Sequence, residues 1–160
     1  MTAGTGQGAG QGMNFQRVGA PNNAYVGRSF EAKAAAALQG AKVFVSAPLP
    51  LAIGVGKIKK VHKFDLGSQE PPIVVECKSH RWTAGKNVPS AKLTVWNEAM
   101  YYFSIAPAGF RRIFFVLRDY STKHNCTLAE YYLRTYPHFI PDGVEVWEFN
   151  ETNNSVSILQ

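Results

Sequence analysis

The stretch HKFDLGSQEPPIVVECKSH, residues 62–80, reads as two extended segments joined by a turn. In the first, which begins upstream as KIKKVHKFDLG, residues alternate. Ile58, Lys60, His62, Phe64 and Leu66 share one side, while Lys59, Val61, Lys63 and Asp65 share the other. Gly67 to Pro72 carries the turn. In the second, Ile73, Val75 and Cys77 alternate with Val74, Glu76 and Lys78. Strands this close in sequence pair antiparallel. Asp65 then stands away from Phe64 and Leu66, and Glu76 and Lys78 away from Val75 and Cys77. Two carboxylates and an ammonium are predicted to converge at the end of a hairpin anchored in the core.

That combination suits phosphodiester hydrolysis. Hard divalent cations such as Mg²⁺ take carboxylate and carbonyl oxygens, with substrate phosphate completing the shell. Asp65, Glu76 and the backbone carbonyl of Cys77 are candidate metal donors, and Lys78 is placed to orient the attacking water and stabilise developing charge. A Glu-x-Lys triplet has little specificity alone, and the chain carries a second one at Glu31-Ala32-Lys33. Strand context separates the two. Residues two apart share a face in a strand but diverge in a helix, so only Glu76 and Lys78 can serve one site. The competing structural reading is an exposed sheet face with a cross-strand salt bridge.

Working outward, GRSFEAKAAAALQG (residues 27–40) reads as a helix capped by Ser29 and stopped at Gly40. KVFVSAPLPLAIGVG is an edge strand and loop, broken by prolines. SAKLTVWNEAMYYFSIA is a helix capped by Ser90 with Leu93, Trp96, Met100 and Phe103 on one stripe. RRIFFVLRDY is a buried strand, TLAEYYLRTY a helix capped by Thr127, and VEVWEFN the last solid strand. The order predicts an α/β (α+β) domain: a mixed central sheet flanked by helices, with an α-β-β-β-α-β core and an added C-terminal helix and strand. Residues 1–20, with five glycines in the first 13 positions, read as a flexible tail, and 21–160 as a single domain.

The composition supports this. The chain has 160 residues, 46% hydrophobic, enough for one domain with a real core. No apolar run approaches the ~20 residues that cross a bilayer, and the start has no secretory pattern, so a cytoplasmic protein without a membrane partner is expected. Two cysteines, Cys77 and Cys126, exclude a disulfide scaffold or zinc finger. With 17 Lys+Arg against 11 Asp+Glu the net charge is +6, which favours phosphate-rich partners. The loop after Lys78 fits this: His80, Arg81, Trp82 and Lys86 could grip a backbone while Trp82 stacks on a base, against the plainer reading of a polar connection with one tryptophan on the core. Lys92, one turn into the next helix, is a further phosphate candidate.

Asp65, Glu76 and Lys78, preceded by a helix with Glu31 and followed by a helix and a strand, resemble the PD-(D/E)xK nuclease superfamily over Gly27 to Leu117. Phe64 stands where the name-giving proline would be. The resemblance implies that Asp65 and Glu76 are metal ligands, that Lys78 is the catalytic lysine, and that Glu31 completes the metal shell. It implies an Mg²⁺-dependent endonuclease, with Mn²⁺ substituting and DNA, or RNA, as partner. A homodimer would suit both strands of a duplex. The alternatives are a non-catalytic nucleic-acid-binding module on the same fold and a protein whose charged hairpin is only a surface.

Overall fold

The computed structural model describes residues 23–160, so the expected tail and the start of the domain at residue 21 lie outside the described residues. The elements run α1 (Asn23–Gly40), β1 (Leu49–Ile53), β2 (Lys60–Phe64), β3 (Leu66–Ser68), β4 (Ile73–Lys78), α2 (Ser90–Ile105) and β5 (Arg111–Leu117). Then come β6 (Tyr120–Ser121), β7 (Cys126–Thr127), α3 (Leu128–Thr135), β8 (Val144–Asn150) and β9 (Ser155–Ile158). Five strands form the main sheet in the order β3-β4-β5-β8-β9. β4, β5 and β8 run parallel, and β3 and β9 lie antiparallel at its edges. This is the mixed sheet flanked by helices that the sequence predicts, an α+β fold.

The parallel strands are apolar almost throughout because both their faces are covered. Val74, Phe114, Val116 and Val146 meet Leu93, Trp96, Met100 and Phe103 of α2, with Tyr132 of α3 closing the layer. Ile73, Val75, Ile113, Phe115 and Phe149 face the other way, onto Phe30, Ala34 and Leu38 of α1, which recur every fourth residue. Each fully buried large side chain in these layers contributes roughly 1.5–3 kcal/mol. α3 starts as predicted, in a capping box: Thr127 Oγ1 accepts the Glu130 amide at 3.1 Å, and the Glu130 carboxylate accepts the Thr127 amide at 2.7 Å.

Several boundaries differ from the sequence reading. α1 begins at Asn23, so Ser29 lies inside the helix and caps nothing; the helix runs through Gly27, where nothing crowds the missing side chain. α2 is entered from Pro89, and Ser90 is its first residue with no capping hydrogen bond. β9 was unread, and pairs with β8 through a turn at Asn150–Ser155.

The most consequential difference is at Asp65. The alternation from Ile58 to Leu66 predicts one strand, but the chain breaks at Asp65. β2 pairs with β1 in a hairpin of its own, while β3 joins the main sheet. The break reverses parity: Phe64 lies in the α2 core and Leu66 in the α1 core, rather than on one face. Gly67 permits the arrangement. Ser46 and Gly67 exchange two backbone hydrogen bonds of 2.8 Å, and a Cβ at Gly67 would fall 2.5 Å from Leu49 Cδ2 and 2.6 Å from the Ile73 carbonyl. Only glycine lets β1 cross so close to the β3–β4 pair.

Candidate active site

The ladder between β3 and β4 ends at Leu66↔Val75. One step further, where the chain has left the sheet, a side chain takes over the backbone's role. Asp65 Oδ2 accepts the Cys77 amide at 2.7 Å. The same oxygen lies 3.6 Å from Lys78 Nζ, and that ammonium donates to Glu76 Oε2 at 2.8 Å. Glu76 Oε1 is 2.8 Å from His62 Nε2. Asp65, Glu76 and Lys78 therefore border one small volume at the fork where β2 departs from β4, as the sequence predicts.

Electrostatics at this fork are under tension. Glu76 is only 3% exposed, and burial raises its carboxyl above the usual range; Lys78 opposes that rise and Asp65 adds to it. Burial alone would lower the Lys78 ammonium, but the pull of Glu76 and Asp65 outweighs it and the net shift is upward. Lys78 is thus firmly protonated at neutral pH. Glu31, half-buried on α1, belongs to the same field: burial raises its carboxyl, Asp65 raises it further, and Lys78 and Arg28 pull it down. Three carboxylates thus share the field of one ammonium, two of them, Glu76 and Asp65, in direct reach of it. Cys77 is no nucleophile here, since burial pushes its thiol well above the ordinary value.

Among the described residues no group of three or more His, Cys, Asp and Glu side chains stands ready as a metal cluster. The donor chemistry nevertheless fits a hard divalent cation. Asp65 Oδ1 accepts no hydrogen bond among the described residues. The Cys77 carbonyl leaves β4 on the same edge as its amide, toward Asp65. Glu76 keeps lone pairs beyond its two hydrogen bonds. The surplus of carboxylate over ammonium is the charge such an ion would neutralise.

The loop expected to grip nucleic acid is placed differently. Trp82 is buried, and cannot stack on a base. Its backbone amide donates to Asp119 Oδ2 at 2.8 Å, its ring N–H to the Asp119 carbonyl at 2.9 Å, and its face stacks on His124 at 4.4 Å. Arg81 is half exposed but committed to Glu151 at 2.7 Å, with Asp119 at 3.8 Å. Lys86 and Lys92 are exposed. His80 is half-buried, and its Nδ1 accepts the Trp96 ring N–H at 2.8 Å.

Burial, then Lys92 and Lys78, lower the His80 imidazole from 6.5 to about 4, so it stays neutral at physiological pH. A base whose folded pKa is depressed binds fewer protons in the native state between those two values. Its contribution to stability is intact above pH 6.5 and is lost as pH falls toward 4. His80→Gln keeps an acceptor for Trp96 without the titration. In thermal melts compared at pH 7 and pH 5, the native protein should lose ground against this variant on acidification. Equal shifts in the two proteins would refute the assignment.

His62 is the residue that sequence reading missed. It shares the α2-facing side with Phe64 once the break at Asp65 is known, and it stacks on Tyr102 at 3.9 Å while holding Glu76. Comparison of the chain with protein-family models, curated proteins and solved structures gave no match. No helix among the described residues is long and apolar enough to cross a membrane.

Proposed function

We propose that this protein is a divalent-metal-dependent phosphodiesterase that cleaves DNA internally. The observation that carries the reading is the sharing of one ammonium by two carboxylates, Lys78 with Glu76 and Asp65, at the point where a strand leaves the sheet. Asp65, Glu76 and the Cys77 carbonyl would hold Mg²⁺ or Mn²⁺, with Glu31 completing the shell. The ion would supply Lewis-acid polarisation of the scissile phosphate and a more acidic bound water. Lys78, protonated and fixed by Glu76, acts as a hydrogen-bond donor and a positive charge, not as a base. It orients the attacking water and opposes the negative charge that builds on phosphorus. His62, backed by the Tyr102 ring, holds Glu76 in place from the α2 side.

A second reading is binding without cleavage on the same fold. It is favoured by one observation: His62 and Lys78 already satisfy both oxygens of Glu76, so this carboxylate is content without a cation. Supercoiled plasmid separates the two. The phosphodiesterase nicks it in Mg²⁺ or Mn²⁺, not in EDTA, and Lys78→Ala loses the activity. Retention of plasmid without nicking in any metal, unchanged by Lys78→Ala, leaves only the binding module.

A further inference from the structure

The chain's largest concentration of positive charge lies outside the loop just described. From Leu49 to Phe64 there are four lysines, Lys57, Lys59, Lys60 and Lys63, and no acidic residue. This is the β1–β2 hairpin. Its inward side, including Leu49, Ile53 and Phe64, is buried against the α2 core. Its outward side and tip are bare. Ile58 is 89% exposed, Val55 77% and Val61 60%, an unusual set for a hairpin that could have carried polar residues there. Lys59 closes the tip by donating to the Gly54 carbonyl at 2.5 Å. Lys57, Lys60 and Lys63 are exposed and form no ion pair among the described residues. The hairpin is rooted in the site, since β2 delivers His62 to Glu76 and runs directly into Asp65.

We infer that the β1–β2 hairpin is a duplex-binding arm, whose lysines engage the phosphate backbone while the apolar tip, Val55 and Ile58, enters a groove. The inference rests on the phosphodiesterase reading for the identity of the polymer. Three things select a nucleic-acid duplex. Uncompensated lysines spread over a projecting ribbon, Lys57 in the tip, Lys60 where β2 begins and Lys63 on the outward side, gain affinity by releasing counterions from a polyanion. A two-stranded ribbon fits the major groove, about 12 Å wide. Apolar side chains at an exposed tip contact base edges or wedge between base steps, which charge alone cannot do. The root of the arm lies at the fork, because β2 ends next to Asp65. The arm replaces Trp82 and Arg81 as the main contact, because those two are spent within the fold.

The test is binding of the full chain to a fluorescently labelled DNA duplex in EDTA, followed by anisotropy across a salt series, with circular dichroism on every variant. Lys57→Gln/Lys60→Gln/Lys63→Gln should weaken binding roughly 10- to 100-fold near 0.1 M salt and flatten the logarithmic salt slope by about 2.7, the release from three phosphates. The same three positions changed to Arg should restore both. Val55→Ser/Ile58→Ser should weaken binding at every salt concentration with the slope unchanged, because apolar contacts release no counterions. Duplex affinity indifferent to the lysine triple overturns the arm. So does a native chain that ignores duplex but sediments with phosphatidylserine vesicles through these lysines. Duplex binding as described with no metal-dependent nicking leaves the arm standing and removes the phosphodiesterase. Nicking by a chain whose binding ignores the hairpin variants does the reverse.

Discussion

Lys78→Met should destabilise the protein by about 3–5 kcal/mol at pH 7, the scale for removing one member of a buried ion pair, and should do so much less at acid pH. Met keeps the unbranched stem and removes the charge. What remains is Glu76, 3% exposed, with His62 on one oxygen and nothing on the other, and with Asp65 nearby. In the native protein Lys78 restrains the upward pull of burial on the Glu76 carboxyl. Without it the folded pKa climbs further. A carboxyl raised in the folded state favours folding when protonated, so its stability contribution is lost as pH rises from the unfolded value of 4.5 through the folded one. The deficit of the variant relative to the native chain should therefore open across that window and close below it. Glu76→Gln added to Lys78→Met removes the stranded charge and should recover most of the loss, a coupling that a double-mutant cycle in urea melts measures directly. A deficit that is the same at pH 4.5 and pH 7 would mean that Glu76 is not the group Lys78 neutralises.

That ion pair explains how a charged site survives beside an apolar core. Glu76 follows Val74 and Val75, both fully buried, and lies opposite the equally buried Phe114 of β5, a position where an unpaired carboxylate would be expelled or protonated. The chain avoids either outcome by supplying a cation two residues along the same strand face and an imidazole from the neighbouring hairpin. Glu31, Asp65 and Glu76 still outnumber Lys78. This surplus is a cost, whereas Glu145 and Glu148 elsewhere on the sheet are each paired with one arginine, Arg111 and Arg118. A carboxylate surplus at a sheet fork is the charge that the proposed divalent ion would neutralise.

How much of this the sequence discloses depends on the distance over which each signal acts. Strand parity is local, so the placing of Glu76 and Lys78 on one side of β4 followed from IVVECKS alone. The cap at Thr127 was equally legible, because its partner Glu130 is three residues away. The break at Asp65 was not. Alternation continues through KVHKFDLG without interruption, and what interrupts the strand is the Ser46–Gly67 contact across the chain, made possible by a missing side chain. Reading through the break put Phe64 and Leu66 on one side, and hid His62 from the site. Trp82 failed for the same reason at longer range: its partner, Asp119, lies 37 residues away, and a loop of polar composition gives no sign of a buried ring. The alternation divides the hairpin lysines between two sides, Lys60 on one and Lys59 and Lys63 on the other, but that Lys57, Lys60 and Lys63 pair with no acid among the described residues emerges only from the fold.

Asp65→Asn isolates the charge from the scaffold. Asparagine keeps an oxygen that can accept the Cys77 amide, now bonded at 2.7 Å, so β4 retains its stand-in ladder partner. The amide cannot offer a cation the same field. Cleavage in Mg²⁺ should fall on the order of 10²- to 10³-fold, the scale for losing one preorganised electrostatic partner of the transition state. In EDTA the variant should melt no lower than the native protein. Asp65 raises the carboxyl pKa values of both Glu31 and Glu76 by repulsion, and Asn removes that repulsion from each. The thermal shift on adding Ca²⁺ or Mn²⁺, which tracks binding to the folded chain whether or not turnover occurs, should shrink sharply in the variant. Asparagine at this position with full cleavage would remove Asp65 from the metal site. Full metal stabilisation with cleavage lost would instead assign Asp65 to the handling of water beside Lys78. The pairing of a steady melting point with a lost metal shift is the result that distinguishes a ligand from a strut. It follows from geometry: one oxygen of Asp65 is spoken for by the backbone, and the other accepts no hydrogen bond among the described residues.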